Sequence, residues 1–119
     1  MANTELQSIT RDIVKHPARV FLFEPVKQRL QDVSRYGKIE YMFPKDSERA
    51  SIWDTDTMSD DVIESLEKAD YSPEIDFIAI TGHLVPLAVM IAAVTNEYGK
   101  FRALLFDARD HSYCERMLG

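Results

Sequence analysis

Thr81-Gly82-His83 is the polar break in an otherwise apolar run, DFIAITGHLVPLAVMIAAV, from Asp76 to Val94. Its residue types suit recognition of a small anion. Glycine lets a ligand approach the backbone, and a helix starting just after it would aim free N–H groups at that ligand. Threonine adds a hydroxyl, and histidine can donate a hydrogen bond or carry a proton near neutral pH. Further along, Asp107-Ala108-Arg109 follows a second apolar run, FRALLF. Arg109 supplies a guanidinium for phosphate or carboxylate, and Asp107 a carboxylate able to orient His83 or bind a ribose hydroxyl. Thr81, Gly82, His83, Asp107 and Arg109 together would hold a nucleotide or similar anion, with hydrolysis as a further step. The same residues also suit plain structure: a strand-to-helix turn with a capping threonine, and a hairpin turn with a surface ion pair.

Other chemistry is thinner. Neither G-x-G-x-x-G nor G-x-x-x-x-G-K-[ST] occurs, so the familiar phosphate cradles are missing, and Pro86 removes one N–H from the first turn of the helix. His111-x-x-Cys114 has the spacing of two metal ligands but no second pair beside it, and a zinc site needs three or four. There is no G-x-S-x-G and no recognisable Ser-His-Asp set. The sequence therefore implies no cofactor and no metal, and points away from an enzyme.

A different kind of signal lies upstream. From Asp46 to Asp76 eleven acidic residues face only Arg49 and Lys68, a local net charge of −9. The whole chain carries −6, so the remainder sums to +3. Trp53, the single tryptophan, sits in this segment with Asp54, Asp56, Asp60 and Asp61. Such a surface repels nucleic-acid phosphates and attracts a basic protein, or imitates a phosphate backbone. A solvated helix and loop would carry the same charges.

The elements that must position these groups follow from periodicity. Leu6, Ile9, Ile13 and Val14 recur at helical spacing, predicting a peripheral N-terminal helix within residues 1–16 that stops at His16-Pro17. Arg19 to Phe23 reads as a strand, Val26 to Tyr36 as a short helix ended by Gly37, and Lys38 to Phe43 as a second strand. Residues 45–58 form an irregular acidic loop, and Ser59 to Ala69 an amphipathic helix capped by Ser59, with Val62, Ile63 and Leu66 inward and a Glu64–Lys68 pair. Asp76 to Ile80, then a helix from Leu84 or Val85 to Tyr98, then Phe101 to Phe106 make a βαβ unit with parallel strands. Ser112 to Leu118 returns antiparallel. If the two parallel strands are neighbours, the two candidate loops lie roughly 5 Å apart at one edge, or twice that with a strand between them.

The fold class is therefore α/β: one domain over residues 1–119, a mixed sheet of four or five strands with a C-terminal βαβ unit, and helices packed on it. The chain is long enough to build a core without disulfides. The lone Cys114 forms no intrachain bridge and suits a reducing compartment. The run from Phe77 to Val94 approaches the length of a membrane span, but Gly82, His83 and Pro86 break it. With no secretory signal in the first residues, a cytoplasmic location is expected. The helix after Gly82 is apolar nearly all round, where a surface helix needs only a stripe, so its outer side is expected to be covered by the N-terminal helix or by a second copy, with a homodimer favoured. The leading functional expectation is a small, non-enzymatic binding or regulatory protein that acts through a protein partner. A phage or mobile-element accessory protein would have this build. The alternative is the nucleotide or small-anion domain described above.

Overall fold

The computed structural model describes residues 16–26, 31–45 and 50–119. The N-terminal helix expected within residues 1–16 falls, but for His16, outside them, as does part of the acidic loop. Five strands form one sheet: β1 (Arg19–Leu22), β2 (Lys38–Tyr41), β3 (Phe77–Ile80), β4 (Phe101–Asp107) and β5 (Ser112–Leu118). Their order across the sheet is β2-β1-β3-β4-β5. The first four run parallel, and β5 pairs antiparallel with β4 over seven residue pairs, from Phe101 opposite Leu118 to Asp107 opposite Ser112. The mixed α/β sheet and the parallel βαβ unit are as the sequence predicts.

Parallel strands covered on both faces read as continuous apolar runs. Val20, Phe21 and Leu22 of β1 and Phe77, Ile78 and Ala79 of β3 are all buried. Alternate residues feed two cores. On one face Phe21, Ile78, Phe101 and Ala103 pack under α2 (Thr55–Lys68) and α3 (Leu84–Tyr98), meeting Met58, Val62, Leu66, Met90 and Val94. On the other, Val20, Leu22, Phe77, Ala79 and Leu104 meet Val33 of the short α1 (Gln31–Ser34). Gly37, after α1, is set by a close approach: a Cβ there would run into the Ala18 carbonyl.

Two elements depart from the sequence reading. The helix predicted from Ser59 begins at Thr55, inside the segment read as loop, and its cap is Asp54, whose side chain accepts from Thr57 N at 3.2 Å. The extra turn is held because Met58 is fully buried, extending the inward row of Val62 and Leu66. Ile63, expected inward, is only partly buried against that core. The second departure is α3. Its buried residues are Pro86, Met90, Ala93 and Val94, a single stripe, while Leu84 is 81% exposed, Val85 is half-exposed, and Ala88 and Ala92 face outward. Among the described residues, only one side of this helix is covered.

At the amino ends of the strands sits a buried charge that periodicity gives no hint of. Asp76, with no exposed surface, accepts from the backbone N–H groups of Arg19 (3.1 Å) and Ser72 (2.9 Å) and pairs with the Arg19 guanidinium at 3.1 Å. Arg19 also donates to the carbonyls of Ala69 at 2.6 Å and Asp70 at 3.0 Å. One side chain thus ties the start of β1 to the end of α2 and the entry to β3. His16 lies 3.7 Å from Asp76. Among the described residues no helix is long and apolar enough to cross a membrane.

Candidate functional site

Strands β3 and β4 are neighbours in register, Phe77 beside Arg102 through Ile80 beside Leu105, so the segments leaving them emerge at one sheet edge. Thr81 is buried at this exit. Gly82 takes φ +127°, in the region that favours glycine. A Cβ there would meet only Val26 Cγ1, at 3.9 Å, so conformation and not space asks for glycine. His83 is exposed and stands at the N-cap of α3, where its side chain makes no capping bond and its carbonyl accepts from Leu87 N at 3.1 Å.

The second loop spends its charge on itself. Asp107 Oδ1 accepts from the backbone N of Arg109 at 2.9 Å and lies 3.5 Å from Arg109 Nε, which closes the β4–β5 turn. The Asp107 carboxylate is thus engaged within its own hairpin. A pocket of about 420 Å³ opens beside this turn, lined by Asp107 and Arg109 together with Leu105, Phe106, Cys114 and Arg116. None of Thr81, Gly82 or His83 lines it. The topology brings the two loops to one edge, but the cavity belongs to the hairpin. Arg116 and Cys114 enter it because the register sets Cys114 opposite Leu105 and Arg116 opposite Ala103, on one face.

The strand order brings a third segment to this edge. In this strand order the chain reverses its direction of travel between β1 and β3, and open α/β sheets bind ligands at such a switch. Glu24 and Pro25 leave β1 there, opposite Thr81-Gly82-His83. The signal available was the first strand–helix–strand segment, Arg19 to Phe43: read as a second parallel crossover, it would have put β2 on the outer side of β1.

The acidic surface has a different build. Ser51 to Asp54 form a tight turn, Asp54 N donating to Ser51 O at 2.9 Å and Trp53 N to Ser51 Oγ at 3.2 Å. The turn presents Trp53 with 89% of its surface exposed. Two of the five predicted surface residues also hold structure: Asp54 caps α2, and Asp61, half-buried, accepts from Ala50 N at 3.2 Å. Asp56 and Asp60 are exposed. Ser65 Oγ donates to the Met42 carbonyl at 3.0 Å, which levels that part of α2 with the exit from β2. The helix from Ser65 back to Thr55 spans about 15 Å at 1.5 Å per residue, so it carries Trp53 out past the strand ends. A groove of about 450 Å³ runs between Tyr41–Phe43 and the side of α2 that bears Asp61 and Glu64. On that side Glu64 pairs with Lys68 at 2.9 Å, and this hydrogen bond raises the Lys68 pKa. Among the described residues no three His, Cys, Asp or Glu side chains gather as a metal site.

The Phage Pam3 gp32-like protein family matches residues 18–118, nearly the whole chain. The chain belongs to that family. Membership fits the accessory role in a phage expected from the sequence, and the matched span takes in the full sheet, α2 with its Trp53 turn and the β4–β5 hairpin. No curated protein and no solved structure matches the chain.

Proposed function

We propose that this member of the phage family is a non-enzymatic binding or regulatory protein that works in the cytoplasm by docking a basic protein surface on Trp53, Asp54, Asp56, Asp60 and Asp61. The observation that carries this reading is the 89% exposure of Trp53 on an ordered turn at the acidic end of α2. A large aromatic held in water is a poor use of apolar area unless a partner covers it, and tryptophan is the residue most enriched among interface anchors. Acids around it add long-range attraction for a basic partner, weakened by salt. A homodimer belongs to the same reading, and the outer side of α3, where Leu84 and Val85 are exposed, is one of the surfaces available for it.

Because Trp53 is the sole tryptophan, its fluorescence reports on this surface directly. Titration with an arginine-rich peptide is expected to shift the Trp53 emission, more strongly at low salt. Neutralising Asp54, Asp56, Asp60 and Asp61 to Asn should remove the shift. An emission spectrum indifferent to the peptide at every salt concentration sinks the proposal.

A second reading is a nucleotide or small-anion site at Thr81, Gly82, His83, Asp107 and Arg109. Its support is the shared edge of β3 and β4 and the pocket beside Arg109. A thermal-shift screen with mono-, di- and cyclic nucleotides separates the two: stabilisation that His83→Ala or Arg109→Ala abolishes favours this reading, and no shift removes it.

A further inference from the structure

The projecting Trp53 turn and the arginine-lined pocket leave the sheet at the same ends of the strands but at opposite edges. Ser65, on the helix that carries the turn, is bonded to Met42 at the exit of the edge strand β2, and the pocket lies on the β4–β5 hairpin at the other edge. Four strand spacings, about 19 Å, lie between those edges, so within one chain the two surfaces stand well apart. Trp53 is accordingly exposed, and the pocket is open. They are also chemical complements. Trp53 offers an indole flanked by Asp54 and Asp56. The pocket is lined by the apolar Leu105, Phe106 and Cys114 and by two arginines, Arg109 and Arg116, against one acid, Asp107, which is bonded to the backbone of Arg109. Arg109 is 90% exposed and tied only loosely to Asp107, at 3.5 Å.

We infer that the partner of the Trp53 surface is a second copy of this chain, whose β4–β5 pocket receives the indole between Arg109 and Arg116 in a head-to-tail contact. This rests on the reading of Trp53 and its acids as a partner surface, and names the occupant. The occupant follows from complementarity of charge and kind: an indole stacks on guanidinium groups, and the carboxylates beside it meet the same two cations. A cavity of about 420 Å³ is large enough for the indole ring and a neighbouring carboxylate. Because the two halves of the contact lie on different parts of the surface, each copy keeps one half unused. Such an interface propagates into a ring or an open string of subunits, not a closed pair.

The test is complementation between two variants whose changed side chains are exposed and leave the fold intact, which circular dichroism checks. Sedimentation velocity of the unaltered chain is expected to show concentration-dependent species beyond a dimer, weakened by salt. Trp53→Ala alone and Arg109→Glu/Arg116→Glu alone are each expected to sediment as monomers, association falling by about tenfold or more. Mixed, they should give a heterodimer that stops there, since the first donates only the pocket and the second only the indole. An unaltered chain that stays monomeric overturns the inference. So does a dimer that survives in both variants, which would place the contact on α3, and so does a mixture that restores nothing. In any of those cases, an arginine-rich peptide that still shifts Trp53 emission in the Arg109→Glu/Arg116→Glu variant leaves the partner surface standing with a different occupant. Loss of both signals removes the surface as well.

Discussion

Tyr71 shows how a single side chain sets a pH limit on this fold. Its ring packs edge-on against Phe21, with centroids 5.6 Å apart, and against Tyr98 at 5.0 Å, while its hydroxyl is enclosed without a hydrogen-bond partner among the described residues. Burial first, then the negative charge of Asp76, then Tyr98, pushes its pKa well above the ordinary 10.0. The folded state therefore holds this proton more tightly than the unfolded chain. The associated stability is fully present below about pH 10 and drains away as the pH climbs past that point. Tyr71→Phe keeps both ring contacts and deletes the stranded hydroxyl. Urea denaturation is expected to show a gain of about 1 kcal/mol at neutral pH and a shallower alkaline decline. A residual decline belongs to Tyr98, which burial raises in the same direction. A loss of stability at neutral pH would mean that the hydroxyl has a partner after all.

At the scale of the element, α2 depends on its first turn. Asp54 satisfies one of the N–H groups that a helix start leaves open and adds a negative charge where the helix dipole favours it. Asp54→Ala should cost about 1 kcal/mol in thermal or chemical unfolding, and amide exchange should quicken from Thr55 to Met58 while the rest of the helix stays protected. Uniform exchange along α2 would count against a local cap. The same helix marks where the sequence is hard to read. Asp54 and Ser59 are both good caps followed by acids, and only the burial of Met58, a tertiary fact, decides between them. The C-terminal half was legible because Gly82, Gly99 and the turn after Asp107 punctuate strongly apolar segments of different period. The candidate site was legible to the level of neighbouring strand ends. That Asp107 is absorbed by its own hairpin, and that Arg116 and Cys114 share its pocket, depend on the β4–β5 register, which no local pattern encodes. The switch between β1 and β3 was missed because the strand–helix–strand reading of Arg19 to Phe43 does not say on which side of β1 the second strand pairs.

For the molecule as a whole, cohesion at one end of the sheet converges on Arg19 and Asp76, residues 57 apart in sequence. Removing Asp76 leaves the Arg19 guanidinium and the N–H groups of Arg19 and Ser72 without their acceptor, and removing Arg19 leaves the buried Asp76 charge unpaired. Arg19→Ala and Asp76→Ala are each expected to cost about 3–5 kcal/mol, whereas replacing both by apolar residues of similar size should cost less than either alone. Equilibrium denaturation of the three variants checks this, and a double replacement as damaging as the sum of the single changes would contradict it. The arrangement also separates labour along the strands. The Arg19–Asp76 clasp lies where β1 and β3 begin. The Trp53 turn, the first turn of α3 and the β4–β5 hairpin lie where the parallel strands finish. Substitutions at the outgoing tips therefore alter exposed surface without touching the clasp that keeps the sheet folded, so the two ends of the molecule are free to vary independently.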